Sequence, residues 1–190
     1  MITETVFGIT LYFETESTLF SPLEIDKGTL AMLSTVEISK TDKVLDLGCG
    51  YGVVGIYVAK LIGEQNVVMS DIENRCIELS RRNAKLNGVG GVKIVQSDGV
   101  ENITDKGFTF ILSNPPYHSD FSVPKRFIEK GFNRLELGGR FYMVTKRKGW
   151  YKNKFISIFG GVEIQEIDDY FIFCAEKRST QYSKAKNRNK

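Results

Sequence analysis

The chain has 190 residues, 42% of them hydrophobic, with 26 basic and 23 acidic side chains, one histidine and a formal charge of +3. That length fits one domain with a substantial core. No apolar run is long enough to span a bilayer, and Met1-Ile2-Thr3-Glu4-Thr5 lacks the basic start and apolar stretch of a secretion signal, so the expected location is cytoplasmic. Three cysteines without a C-x-x-C pair, and the single His118, argue against a disulfide framework and against a cysteine- or histidine-built metal cluster.

In chain order, Val6 to Glu14 alternates partly and reads as a short strand or hairpin. Ser21-Pro22-Leu23-Glu24 has the form of a capping box with Pro at the first helical position, with a start near Asp26 as the alternative; the helix runs to about Val36. Next come a strand at 44–47, a helix at 53–62 and a strand at 66–70. The helix from Asn74 to Leu86 ends at Asn87-Gly88, a good C-cap. Strands at 92–96 and 108–113 follow, then a helix from Pro124 to Leu135 that Gly138-Gly139 breaks before a strand at 140–145. A short helix at 150–159 and closing strands at 162–167 and 170–175 complete the pattern. Alternating strands and helices predict a mostly parallel α/β sheet, with the last hairpin adding an antiparallel strand at one edge.

Two motifs stand at strand ends. Val44-Leu45-Asp46-Leu47 runs into Gly48-Cys49-Gly50-Tyr51-Gly52 and then a helix. Strand, glycine turn and helix let backbone approach a nucleotide-like ligand closely. Cys49 in that turn reads as a small soft residue on a pocket wall. Gly50, Gly52 and Gly55 match the dinucleotide fingerprint, with Asp71 about 20 residues on. The glycines begin earlier, however, and Asp46 sits within the strand, so the turn reads D-x-G-x-G-x-G. Further on, the apolar run Phe108–Leu112 reaches Asn114-Pro115-Pro116-Tyr117. Two prolines make a stiff corner that cannot extend the strand. By itself this is also an ordinary proline-rich turn. Its chemistry suits a flat substrate bearing an NH2 group: the ring of Tyr117 stacks, while the Asn114 side-chain oxygen and the Pro115 carbonyl accept the two N–H bonds. His118 is either a solvated loop residue or a contact to a phosphate or base edge.

Together these residues resemble the class I S-adenosylmethionine (SAM) methyltransferases that modify planar amines. Phe20-Ser21-Pro22-Leu23-Glu24-Ile25-Asp26-Lys27-Gly28-Thr29 and Lys146-Arg147-Lys148-Gly149-Trp150-Tyr151 extend the likeness to the methyltransferase small family, from Phe20 to about Lys177. The resemblance implies a Rossmann-like fold, a mostly parallel seven-stranded sheet with helices on both faces and an antiparallel edge strand. It implies SAM as cofactor and no metal. It implies that Asp46, Gly48, Gly50 and Gly52 pack at the methionyl end, that Asp71 with Ile72 beside it meets the ribose, and that Asp98 lies near the adenine. It implies catalytic roles for Asn114, Pro115 and Tyr117, and that the best-known relatives modify guanine N2 of small-subunit ribosomal RNA. The N-P-P-Y logic also serves glutamine-specific protein methyltransferases and DNA adenine-N6 enzymes. A nucleotide-dependent oxidoreductase would leave N-P-P-Y without a role.

The expected division is a methyltransferase domain at 1–176, comprising a leading segment and helix at 1–40 and the core at 41–176, then a basic disordered tail at 177–190. That tail holds six basic residues and no acidic one, leaving 20 basic against 23 acidic in the body. A second basic cluster, Lys146, Arg147, Lys148, Lys152 and Lys154, interleaves with Trp150 and Tyr151. Basic residues among aromatics suit RNA, through phosphate contact and base stacking. The expected partner is therefore RNA, with no membrane.

Overall fold

The computed structural model describes residues 1–17, 21–115 and 120–183. Phe20, Pro116, Tyr117, His118 and the last seven residues of the basic tail lie outside them.

The chain opens with a two-stranded hairpin, β1 (Ile2–Val6) and β2 (Ile9–Phe13). Phe7 and Gly8 both take positive φ, as a type I′ hairpin turn requires. Helix α1 (Lys27–Leu33) starts at Asp26, whose carboxylate accepts the Thr29 N–H at 2.9 Å. The capping box at Ser21 does not form. Ser21 has φ +50°, and its hydroxyl donates to the Glu24 carbonyl instead.

The core alternates strand and helix: β3 (Val44–Leu47), α2 (Val53–Ile62), β4 (Val67–Asp71), α3 (Asn74–Leu86), β5 (Lys93–Gln96), β6 (Phe108–Ser113), α4 (Ser122–Phe132), β7 (Leu135–Thr145), α5 (Gly149–Phe159), β8 (Glu163–Ile167) and β9 (Tyr170–Glu176). The sheet has seven strands in the order β5-β4-β3-β6-β7-β9-β8. Strands β5 to β7 are parallel; β9 runs antiparallel to β7 and carries β8 at the rim. The order reverses between β3 and β6, so their carboxyl ends frame a crevice, where ligands of open α/β sheets bind. Two apolar layers sandwich the sheet. Leu11, Met32, Ile56 and Leu79 join the hairpin, α1, α2 and α3 on one face; Ile128, Phe132, Phe155 and Phe159 bring α4 and α5 to the other.

Two expectations need correction. Gly138-Gly139 does not separate a helix from a strand: α4 ends earlier, at Phe132, and the pair lies inside the long β7. The ladder with β6 shifts register there, Gly138 has φ +83°, and a side chain at Gly139 would strike the Phe108 carbonyl. A local bulge absorbs the glycines. The tail also does not leave the body at Lys177. Lys177 is buried, its ammonium donating to the Leu135 carbonyl at 2.7 Å and lying over the Phe132 ring. Tyr182 packs edge-on against Phe132, and Ser183 N–H donates to the Ile158 carbonyl. Aliphatic stems and a ring give this basic segment an apolar side that charge counting overlooks.

Candidate active site

A cleft of about 380 Å³ opens at the carboxyl ends of β3, β4 and β6, within the usual size range of small-molecule sites. Asp46, Gly48, Gly50, Asp71, Ile72, Asp98 and Asn114 all line it. Gly52 does not. It takes φ +103° as the N-cap of α2, and a side chain there would meet Ile56 and Met69 at 2.9 and 3.0 Å. Its role is to let the helix approach the sheet. Pro115, next to Asn114, is buried and is not among the lining residues.

The glycine turn is held by hydrogen bonds from two elements, β4 and α3. Gly48 and Cys49 N–H both donate to the Ser70 carbonyl, and Gly50 N–H donates to Asp71 Oδ2 at 2.9 Å. From α3, Ser80 Oγ donates to the Gly50 carbonyl at 2.8 Å and Asn83 Nδ2 to the Tyr51 carbonyl at 2.9 Å. Asn83 also exchanges two bonds with the backbone of Glu14, and Asn87 two with Tyr12. The fully buried Asn83 thereby ties the turn to the end of the hairpin. The sequence reading missed these polar residues. Their signal was present: Cys76, Ser80, Asn83 and Asn87 fall on one stripe of α3, the side that is buried.

Three acids occupy different electrostatic settings. Asp46 is buried under the turn and accepts the Gly55 N–H at 2.8 Å; burial pushes its carboxyl up to about 7. Asp71, at the end of β4, is also raised by burial, against the opposing pull of the Glu73 and Gly50 amides. Asp98 pairs with Arg126 of α4 at 2.6 Å. The Cys49 thiol is pushed well up by burial, which leaves it an unreactive part of the wall, as expected.

Across the cleft, the Asn114 amide nitrogen donates to Asp26 Oδ1 at 2.8 Å and meets Thr29 Oγ1 at 2.9 Å. A carboxylate can only accept, so the amide nitrogen must face Asp26. The opposite end, Asn114 Oδ1, is buried and has no partner among the described residues. Among the described residues two other buried side-chain atoms lack partners, Ser70 Oγ and Arg126 Nε. All three belong to residues that line this cleft. Unsatisfied buried polar atoms are rare in proteins, and here they converge on one cavity.

The basic cluster divides. Lys146, Arg147, Lys148 and Lys152 are exposed. Lys154 pairs with Glu129, and Tyr151 is buried beside Phe173, so neither presents itself for stacking or phosphate contact. Trp150 stacks on Phe121, with ring centroids 4.4 Å apart, and Arg147 lies over the same Phe121 ring. Phe121 caps α4, whose first turns carry Val123, Arg126 and Phe127 into the cleft wall. No helix among the described residues is long and apolar enough to cross a membrane, and no cluster of metal-binding side chains occurs among them.

The model of the methyltransferase small domain matches residues 10–174. The chain is 32% identical over 171 residues to the uncharacterized protein YbxB of Bacillus subtilis, covering 87% of this chain and 85% of that one. It is 29% identical to the ribosomal RNA small subunit methyltransferase C of Pseudoalteromonas atlantica, over 84% of this chain and 47% of that one. Its fold superposes with a TM-score of 0.84 on T. thermophilus 16S rRNA N2 G1207 methyltransferase (RsmC), solved in complex with AdoMet and guanosine, at 25% identity over 93% of this chain and 50% of that one. The chain thus spans about half the length of the ribosomal RNA methyltransferases it matches.

Proposed function

This chain belongs to the methyltransferase small domain family, and from that premise we propose that it is a SAM-dependent N-methyltransferase acting on the exocyclic amino group of a base in RNA, guanine N2 of ribosomal RNA above all. The observation that carries the reading is the buried Asn114 Oδ1, unpartnered among the described residues, in the lining of a nucleotide-sized cleft.

The residues present fit SAM. The turn from Gly48 to Gly50 offers a wall made mostly of backbone to the methionyl end. Each Asp71 oxygen takes one backbone N–H and keeps a lone pair for a ribose hydroxyl. Exposed Ile72 supplies apolar cover, and Asp98, fixed by Arg126, faces the adenine side. Ser70 Oγ and Arg126 Nε stand ready for polar groups of a ligand.

When bound, SAM supplies an electrophilic methyl group on a sulfonium. The protein then has to place the amine and stabilise the charge that develops on it. Asn114 Oδ1 accepts one N–H and the Pro115 carbonyl the other. An aromatic amine is a weak nucleophile because its lone pair is shared with the ring. As the nitrogen turns tetrahedral and positive, these two bonds strengthen, so they favour the transition state over the ground state. The methylated nitrogen is acidic and loses its proton without a strong base. Tyr117 completes the site by stacking on the base, which must be turned out of any helix to reach it.

The RNA assignment is supported by the names of the relatives and by the exposed Arg147 over the Phe121–Trp150 stack, with exposed Lys146 and Lys148 next to it over the Tyr170 and Phe171 rings. The test is transfer of a labelled methyl group to ribosomal RNA, in parallel with translation release factors, followed by nucleoside mass spectrometry. The expected product is N2-methylguanosine. Label appearing only in a release factor would replace this reading with glutamine methylation.

A further inference from the structure

Asp26 is held in the same cleft as Asn114 for reasons that helix capping does not exhaust. Its Oδ1 accepts the Thr29 N–H at 2.9 Å and the Asn114 amide at 2.8 Å. Among the described residues its Oδ2 has only the Tyr170 hydroxyl, at 3.3 Å, so the carboxylate keeps acceptor capacity. Asp26 lines the cleft, and Gly28, two residues on, sits so close to the Tyr170 ring that a side chain there would fall 2.5 Å from it. The carboxylate is therefore pinned between α1 and β9. The Asn114 amide nitrogen, bonded to Asp26 Oδ1, brings the unpartnered Asn114 Oδ1 and the Asp26 carboxylate into the same part of the cleft.

We infer that Asp26 is a specificity residue that reads the ring N–H next to the target amine and so selects guanine. This rests on the reading of the site as a base N-methyltransferase. Two adjacent acceptors complement two adjacent donors. Guanine has them, a ring N1–H beside the exocyclic N2 amine. Adenine and cytosine place a ring lone pair beside their amine, which a carboxylate repels. Uracil has no amine. A hydrogen-bonding site rejects analogues that leave its buried groups unpaired far more strongly than an apolar pocket does.

The experiment compares RNA carrying guanine at the methylated position with RNA carrying 2-aminopurine there. The analogue keeps the amine and replaces the ring N–H by a lone pair. For the wild-type protein, kcat/KM should fall by about ten- to a hundredfold on the analogue. In Asp26→Asn the amide oxygen still caps α1 and accepts from Asn114, since Asn is a good N-cap, and the amide nitrogen takes the place of Oδ2. That variant should bind SAM normally, lose activity on guanine, and show the guanine preference abolished or inverted. An intrinsic difference in amine reactivity would leave the same ratio in both proteins, and a purely structural role would lower both substrates equally. Either result overturns the inference. Equal wild-type rates on the two RNAs overturn it without touching the methyltransferase reading, even if the variant fails to fold. Absence of transfer to either RNA, or to any other, removes both.

Discussion

The two walls of the cleft are built in opposite ways. On the glycine-turn side, nearly every polar group is answered from within the chain: Gly48, Cys49 and Gly50 amides by β4, the Gly50 and Tyr51 carbonyls by Ser80 and Asn83. On the Asn114 side, the amide nitrogen is answered by Asp26 and Thr29, while the oxygen is buried without a partner among the described residues. The first wall is a scaffold whose glycine turn is internally satisfied, with Asp71 and Ser70 Oγ beside it keeping capacity for a ligand. The second is a set of acceptors completed by something from outside. An acceptor held in place before a reaction costs nothing to reorganise when charge develops, which is the use proposed here for leaving it bare.

Five changes would break or sharpen this contrast. The largest is expected at Asp46, where the glycine-turn wall buries a carboxyl. In the folded chain it is protonated up to about pH 7, in the unfolded chain only to about pH 4. The folded state thus binds the extra proton, and stability falls as pH rises through that window. Asp46→Asn keeps the acceptor for Gly55 and has no proton to lose. Denaturant unfolding should find it more stable than wild type above pH 7, by about 4 kcal/mol at most, with the difference fading towards pH 4. A pH-independent difference would remove the buried charge as the cause.

On the open wall, Asn114→Ala should lower methyl transfer by about 100-fold or more and leave SAM affinity, read by titration calorimetry, nearly unchanged. Loss of SAM binding instead would mean that the two walls are not separable. Asp71→Ala should do the converse. It should weaken SAM binding by roughly 1.5–3 kcal/mol, with the methyl-transfer rate at saturating SAM little affected. Asn83→Ala leaves the Tyr51 carbonyl and Glu14 amide unpaired. It should cost about 2 kcal/mol of stability, and the deficit should show in thermal unfolding and in SAM affinity before it shows in turnover.

The smallest effect concerns the tail. Removing residues after Ser183 takes away four basic side chains and leaves Lys177 and Tyr182 packed in place. It should flatten the salt dependence of RNA binding by about 0.7 in slope for each phosphate no longer neutralised, with the unfolding midpoint unchanged. Cutting after Glu176 instead removes Lys177 and Tyr182 as well and should lower that midpoint.

Much of this was legible in the residues themselves. The strand-turn-helix around Gly48–Gly52 and the proline corner after β6 announced the cleft, because glycine and proline constrain backbone wherever they occur. Alternation of apolar runs located all seven core strands and the helices between them. Local rules failed where two local readings competed. Ser21-Pro22 and Asp26 were both plausible helix starts, and packing of Gly28 against Tyr170 favours the second. Gly138-Gly139 reads as a break in any local window, yet a neighbouring strand supplies the ladder that carries a bulge.

What the sequence by itself determined is that an amide acceptor would stand at a stiff corner beside a glycine turn. What only the tertiary structure decided is which end of that amide is free. The choice is made by Asp26, 88 residues earlier in the chain, and by Tyr170 on the far hairpin, which holds Asp26 in turn. The same holds for Asn83, whose partners lie just beyond β2 and on the glycine turn. Composition and spacing act along the chain, whereas a hydrogen bond selects its partner by distance and direction in space.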